Sequence, residues 1–483
     1  MKKKIILFSA LFIFINLACI PLQKPDTLTV SAKVDFSATL QDWDGFGVNY
    51  VELAQSTDPI TDPQEYGGFS LLSEEERQEV IDLIFGEEGL KPSIIKMFFD
   101  PFHQEAPGAV FDHESTTQWM RYFVREGIRK TKEYGEDDIS IITTLYGPPA
   151  WATKQKILRG RDLDPEQYNN LAWYMIDWVK YLINEEKLPV KYLSIHNEGD
   201  SPNRWPLDGS HGNIGKGADY NAFWRPTEVA HFLDFMPPMI SAAGLDVGLT
   251  PGECTTWLNF RNSFYHWAIY DNEQAMENIS LITSHGFGIE SSIKSEPNDL
   301  LRLKRPELHS WTTSMAWGKP HSTDYEFVDL IRLNIYLAKV NAMIPWACVQ
   351  TNWVGVNPNP GSPILISDEG DYEVKPHYYY YKQLSRAGQK GMAVATVDVD
   401  KKVDVKLLAF ASNGTDNPSS FLVLNKAETE QEVNLKISGG SSSYQVFRTS
   451  ESENYKTLDD VTSSDGTFRY VAPPGSLTTF FAN

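Results

Sequence analysis

The strongest constraint on this chain is a succession of eight short apolar runs with helical patterns between several of them. The runs cover 46–50, 93–99, 139–145, 191–196, 247–251, 281–285, 308–312 and 343–349. Between them, Ser73 and Glu76 form a capping box ahead of Val80, Leu83 and Ile84. Asp164, Pro165 and Gln167 open a second helix whose Leu171, Met175, Trp178 and Leu182 share one face. A third helical pattern reads from Tyr325 to about Ala342. Eight strands alternating with helices over roughly 300 residues predict an α/β fold, a (β/α)₈ TIM barrel.

The two ends of the chain follow another pattern. Leu28, Val30, Ala32, Val34 and Phe36 alternate with polar residues, as a half-buried strand does. From Met392 to Asn483, short alternating strands are broken by turn-rich stretches at 413–420 and 438–443, which predicts an all-β sandwich. The early strand has no place in the barrel and is expected to pair into that sandwich. The expected organisation is therefore an export segment at 1–19, a strand at 26–40 joining the sandwich, a barrel at 41–390 and the sandwich at 391–483. No internal repeat is visible.

Lys2, Lys3 and Lys4 precede an apolar run from Ile5 to Ala18. That run is too short to span a bilayer comfortably and fits a secretory signal. Cys19, after Leu17 and Ala18, resembles a lipoprotein cleavage site, although Asn16 departs from the pattern. The expectation is an exported protein at a bacterial cell surface or in the periplasm, anchored by a lipid on Cys19; plain secretion and a short uncleaved anchor are the alternatives. Cys254 and Cys348 remain and read as two separate buried thiols.

With 43 Lys+Arg against 64 Asp+Glu, the formal charge of −21 argues against binding nucleic acid or an anionic membrane face, leaving the lipid as the membrane contact. Thirteen Trp, 22 Tyr and 25 Phe give flat apolar faces with polar edges, which suit sugar rings. No GxSxG elbow, HExxH or P-loop is present. Gly212, Gly215 and Gly217 lack the strand–helix setting that phosphate binding needs, and no spacing suggests a metal or a cofactor.

Catalytic groups of such barrels stand at the C-terminal ends of strands. The sharpest candidate is Glu198, because Leu193-Ser194-Ile195-His196 reads as a strand that ends in Asn197 and Glu198. A carboxylic acid there can protonate a glycosidic oxygen while the amide of Asn197 holds a hydroxyl.

Several motifs together resemble glycoside hydrolase family 30, and most of all its endo-β-1,6-galactanase-like branch. They are Asp44-Gly45-Phe46-Gly47, Gly147-Pro148-Pro149-Ala150-Trp151, His196-Asn197-Glu198-Gly199, Gly252-Glu253, His285-Gly286-Phe287, and Pro474-Gly475-Ser476-Leu477-Thr478-Thr479-Phe480. The resemblance implies a retaining-type barrel with a side sandwich and Glu198 as general acid/base. It also implies a nucleophilic glutamate after the seventh strand, in a pattern like Trp-x-Thr-Glu. This chain reads Trp311-Thr312-Thr313-Ser314, so Ser314 stands at that place. A hydroxyl does not stabilise an oxocarbenium ion as a carboxylate does.

Three readings stay open. A carboxylate from elsewhere serves, Glu253 first, since an inverting base needs about 6.5–9.5 Å from the acid; a substrate-binding or supporting acid is its plainer role. Glu290, Glu296 and Glu307 read as solvated loop residues, and Asp100 as a hydroxyl ligand. Alternatively the alignment is shifted, or the protein binds glycans without cleaving them. Trp151, Trp205, Trp317 and Trp353 follow strands and are candidate sugar platforms, with anchoring of loops as the equal alternative. His196 and His285 are candidates for hydroxyl contacts or plain core histidines. Trp173, Trp178 and the run Tyr378 to Tyr381 read as packing. The expectation is a cofactor-free, metal-free hydrolase of a β-linked oligo- or polysaccharide.

Overall fold

The computed structural model describes residues 29–53, 65–136, 138–202, 220–316, 324–351, 361–400 and 402–483. Eight parallel strands form the barrel: β2 (Gly45–Asn49), β3 (Ile94–Phe99), β4 (Ser140–Leu145), β5 (Val190–Ser194), β6 (Gly248–Thr250), β7 (Ile282–Ser284), β8 (Ser310–Thr312) and β9 (Ala342–Met343). All eight apolar runs supply a strand. β2 and β9 pair through Gly45–Ala342 and Phe46–Met343. The seam between β6 and β7 is closed by scattered links: Ser280 N–H donates to the Leu249 carbonyl at 2.9 Å, the Thr283 hydroxyl lies 3.0 Å from Thr250 Oγ1 and 2.7 Å from the Gly252 carbonyl, and His285 N–H donates to the Cys254 carbonyl at 2.8 Å. The strands are buried nearly throughout, as expected where helices cover a parallel sheet.

The helices explain themselves locally. In α1 (Glu74–Phe85) the Ser73 hydroxyl accepts from Glu76 N–H, the Glu76 carboxylate accepts from Ser73 N–H, and Val80, Ile81 and Ile84 are buried. α2 spans Gln118–Glu133, and α3 spans Tyr168–Asn184 with Leu171, Met175, Trp178 and Leu182 on its buried face. The third expected helix is shorter than its pattern. It runs Asp324–Leu333, continues as a π-turn over Asn334–Ala338, and stops at Lys339, whose φ of 56° breaks the helical path. Ala342 therefore belongs to a strand. The last apolar run also divides: Val349–Thr351 leaves the barrel as β10 and joins β11 (Ile364–Ile366) and β12 (Tyr372–Val374) in a small separate sheet.

The second domain has nine strands in the order β18-β17-β20-β15-β14-β13-β1-β16-β19. Its members are β1 (Thr29–Asp42), β13 (Ala393–Val399), β14 (Val405–Ala411), β15 (Ser420–Asn425), β16 (Gln431–Ser438), β17 (Ser443–Ser450), β18 (Glu453–Thr462), β19 (Thr467–Ala472) and β20 (Ser476–Ala482). The N-terminal strand β1 pairs antiparallel with β13 and parallel with β16, and its inward Val30, Ala32, Val34 and Phe36 share a core with Phe421, Tyr444 and Phe480. The helix Pro376–Ala387 lies between the domains. Tyr378 and Tyr381 donate to the Leu83 and Gly47 carbonyls of the barrel, and Tyr380 donates to Gly475 of the sandwich. Cys254 and Cys348 are buried and unpaired. Among the described residues no helix is long and apolar enough to cross a membrane.

Candidate active site

The site forms where the chain leaves β5 and β6. Beyond both strands the pairing continues for one step: Glu253 N–H donates to the His196 carbonyl at 2.9 Å, and Glu198 N–H donates to the Glu253 carbonyl at 2.7 Å. Two carboxylates are thus delivered side by side at the C-terminal end of the barrel. Glu198 adopts φ 48°, a left-handed conformation uncommon for a side chain of its length, and keeps 12% of that side chain exposed. Strain held at one partly exposed carboxylate fits a working residue.

Glu253, offered by the sequence either as an inverting base or as a supporting acid, does not face an opening. Its side chain has no exposed surface. Oε1 accepts from the Thr144 hydroxyl at 2.8 Å, while Oε2 accepts from the Lys96 ammonium and lies 2.9 Å from His285 Nε2. Burial alone would raise its pKa; Lys96 and His285 reverse this and hold it down at about 2. A carboxylate so enclosed and so weakly basic is poorly suited to activating water. Lys96, in the middle of β3, is itself fully buried, donates also to the Thr313 carbonyl at 3.2 Å, and lies 4.6 Å from the Phe98 ring centre. Burial pulls its pKa below the ordinary lysine value against the pull of Glu253.

His285, the residue after β7, joins the two carboxylates: Nδ1 is 3.2 Å from Glu198 Oε1 and Nε2 is 2.9 Å from Glu253 Oε2. Burial opposes its charged form, but hydrogen bonds to Glu198 and Glu253 outweigh burial and raise its pKa. With both nitrogens engaged and 2% of the side chain exposed, it is not free to hold a substrate hydroxyl. His196 is equally withdrawn. Its ring stacks on Trp224 at 5.4 Å, Nδ1 accepts from Gly199 N–H at 3.3 Å, and burial pushes its pKa down to about 3. Gly252, at φ 81°, makes room for that ring, since a Cβ there would come within 2.2 Å of His196 Cδ2. Asn197 is buried with its Oδ1 lacking a hydrogen-bond partner among the described residues.

Ser314 lies two residues beyond β8. Its carbonyl accepts from Gly286 N–H at 2.8 Å, its side chain is buried, and its hydroxyl has no hydrogen-bond partner among the described residues. Trp151 is half-buried, with its indole N–H donated to the Gln104 carbonyl at 3.0 Å and its ring edge against Tyr174. Trp205, Trp317, Trp353 and Cys19 lie outside the described residues. Asp100 is buried and caps Phe102 N–H at 2.8 Å, whereas Glu290, Glu296 and Glu307 are exposed. Sequence reasoning passed over Lys96 and Thr144, although a lysine inside Ile94-Ile95-Lys96-Met97-Phe98-Phe99 is a visible anomaly. It also passed over Trp346, which follows β9, stacks on Tyr146 and donates to Tyr66 Oη at 2.9 Å.

No family model matches the sequence, and no curated protein matches it. Solved structures do. A glycoside hydrolase family 30 endoxylanase from Clostridium papyrosolvens is 17% identical, with TM-score 0.69 over 94% of this chain and 100% of that one. The catalytic domain of a family 30 xylanase C from Talaromyces cellulolyticus is 16% identical, with TM-score 0.70 over 94% and 100%. An endo-β1,6-glucanase is 16% identical, with TM-score 0.66 over 94% of each chain. The chain therefore has the family 30-like fold, a TIM-type barrel with a β-rich second domain.

Proposed function

We propose that this protein is an exported hydrolase of a β-linked glycan, with Glu198 as general acid/base. The observation that carries this reading is the placement of Glu198. It is a partly exposed carboxylate in a left-handed backbone at the C-terminal end of a barrel strand, 3.2 Å from an imidazole able to share its proton. The solved relatives that act on xylan and β1,6-glucan support a β-glycan as substrate, and the sequence motifs favour a β-1,6-galactan. Glu253, enclosed by Lys96, Thr144 and His285, is read as a supporting acid and not as the second reacting carboxylate. The side chains that would stack on sugar are Trp151, Trp205, Trp317 and Trp353, with Asn197 holding a hydroxyl. The protein is read as reaching the cell surface or periplasm through the 1–19 segment, held by lipid on Cys19.

One observation favours a second reading, a non-catalytic surface glycan-binding protein. The two positions from which a partner carboxylate was expected hold a serine and an enclosed glutamate. A panel of xylan, β-1,6-glucan and β-1,6-galactan decides, with products followed by proton NMR and binding by affinity electrophoresis. Cleavage that Glu198→Gln abolishes while binding persists is the expected result. Binding without cleavage by the wild-type chain sinks the hydrolase reading and leaves the binder.

A further inference from the structure

Glu198 occupies a left-handed backbone, φ 48°, which a side chain of its length keeps only where its surroundings hold it there. Bonds on both sides of the residue do so. On entry, Glu198 N–H donates to the Glu253 carbonyl at 2.7 Å, extending the β5–β6 pairing past both strands. On leaving, Gly199 N–H donates to His196 Nδ1 at 3.3 Å, and the Gly199 carbonyl accepts from Trp224 N–H at 2.9 Å. Tyr265 Oη lies 3.1 Å from the same carbonyl. Asp200 follows, with 5% of its surface exposed.

Asp200 reaches across to the segment that carries Glu253. Its Oδ1 accepts from Thr255 N–H at 3.1 Å and from the Thr255 hydroxyl at 2.8 Å, and its Oδ2 accepts from the Asn259 amide at 2.6 Å. Donors on both oxygens offset the hydration that a buried carboxylate loses. Asn259 is itself fixed, because its backbone N–H donates to the Thr256 hydroxyl at 2.9 Å in the N-cap of the short helix Trp257–Asn262. The turn is thus clamped at two points to one stretch, 253–259, and Glu198 stands between the clamps. The backbone bond sets Glu198 beside Glu253. Past Gly199, whose missing side chain leaves the chain conformationally free, Asp200 sets the direction in which the chain departs.

We propose that Asp200 is a positioning residue for Glu198. Through Thr255 and Asn259 it holds the left-handed turn in place, and so fixes where the Glu198 carboxylate stands. With both oxygens engaged and little surface exposed, it does not itself meet substrate. What matters is the match of donors to acceptors across the clamp, a requirement of hydrogen-bond direction. The inference rests on the reading of Glu198 as general acid/base, and it adds what keeps that acid in place.

The test exploits the direction of the bond to Asn259. In Asp200→Asn one amide oxygen cannot serve both Thr255 N–H and the Asn259 amide, so a donor is left facing a donor; Asn259→Asp alone sets two carboxylates together. In the double variant Asp200→Asn/Asn259→Asp, donor and acceptor trade places, and the pair keeps the one negative charge that Asp200 presents to Cys254. Hydrogen exchange of the full chain is read residue by residue. Each single variant is expected to lower protection of the Glu198 amide at least about tenfold while β3 keeps its own, and the double variant to return it to within about threefold of wild type. Unchanged protection of Glu198 in Asp200→Asn overturns the proposal. So does an equal loss in β3, the mark of a merely structural acid, or a double variant no better than the singles. Thr255→Val removes the hydroxyl bond alone and decides where Asp200→Asn does not fold: a loss of about threefold confined to the turn is expected, and no loss overturns the proposal. Where the wild-type chain cleaves glycan, Asp200→Asn should lower kcat at least about tenfold with KM little changed, and the double variant should recover it. A raised KM with kcat kept overturns the proposal. Absence of cleavage by the wild type removes the hydrolase reading alone, because exchange still decides what holds Glu198.

Discussion

Removing Lys96 is the perturbation whose size the structure defines best. Lys96 and Glu253 are fully buried and in direct contact, so Lys96→Met leaves a carboxylate in the barrel interior with its cation gone. Breaking a buried pair in this way is expected to destabilise by about 3–5 kcal/mol. Separately, the pKa of Glu253 stands at about 2 against an ordinary 4.5, the net of burial that raises it and of Lys96 and His285 that lower it. At 1.36 kcal/mol for each tenfold change, that difference corresponds to roughly 3 kcal/mol. The folded-state value is the depressed one, so this stability is complete above about pH 4.5 and is lost as pH falls toward 2. Lys96 acts in the opposite sense, because its lowered pKa is a cost present at neutral pH that disappears as pH rises past its folded value. Urea unfolding of Lys96→Met, Glu253→Gln and the double variant forms a cycle. Each single change should destabilise strongly, and the double should recover about 2 kcal/mol or more relative to their sum. A loss below about 1 kcal/mol for Lys96→Met, or strict additivity in the double, would refute the description of the pair as a buried, mutually dependent charge.

Three further outcomes are expected. Gly252→Ala should destabilise by about 2 kcal/mol or more, because its φ of 81° disfavours a side chain and the added Cβ would enter the His196 ring; equal urea midpoints for variant and wild type would contradict the close approach. Ser314→Glu should raise β-glycan cleavage at least about tenfold with retention at the anomeric carbon, if a carboxylate from that position reaches the sugar as a nucleophile does. Unchanged turnover, or an inverted product by NMR, would show that Ser314 does not stand at the nucleophile's place. At the base of the barrel, His309 Nδ1 lies 2.8 Å from Asp44 Oδ2, and this hydrogen bond raises the histidine pKa. Its contribution is therefore full below about pH 6.5 and lost as pH rises through the raised folded value, and Asp44→Asn should flatten that part of the stability–pH curve.

The barrel was legible because its strands are buried on both faces, so each reads as a compact apolar run whatever its neighbours are. The sandwich was legible through the opposite signal: alternation in β1 and β16 places Val30, Val34, Val433 and Leu435 inward and leaves Lys33 and Lys436 outward. What failed was the boundary at Ala342. A continuous apolar pattern from Tyr325 hides a helix, a π-turn and the start of a strand, and the break at Lys339 comes from backbone conformation, which has no hydrophobic signature.

Glu198 was legible for a positional reason, since a polar pair that ends an apolar strand of a barrel has to emerge at its mouth. For Glu253 and His285 the same logic left two roles open each, and the structure places both side chains among neighbours and out of solvent. Both also follow strand ends, but whether a side chain there meets solvent or its neighbours depends on what the adjacent strands send inward, and β3 sends a lysine. The lysine in 94–99 carries that signal in the sequence, because a cation inside an otherwise apolar strand requires an anion. Asp100, Glu198 and Glu253, each following a strand, were then the candidates, and geometry selects Glu253. Lys96 sets the place of its neighbours: Glu253 is its counter-ion, and His285 bridges Glu253 to Glu198, the partly exposed carboxylate of the group.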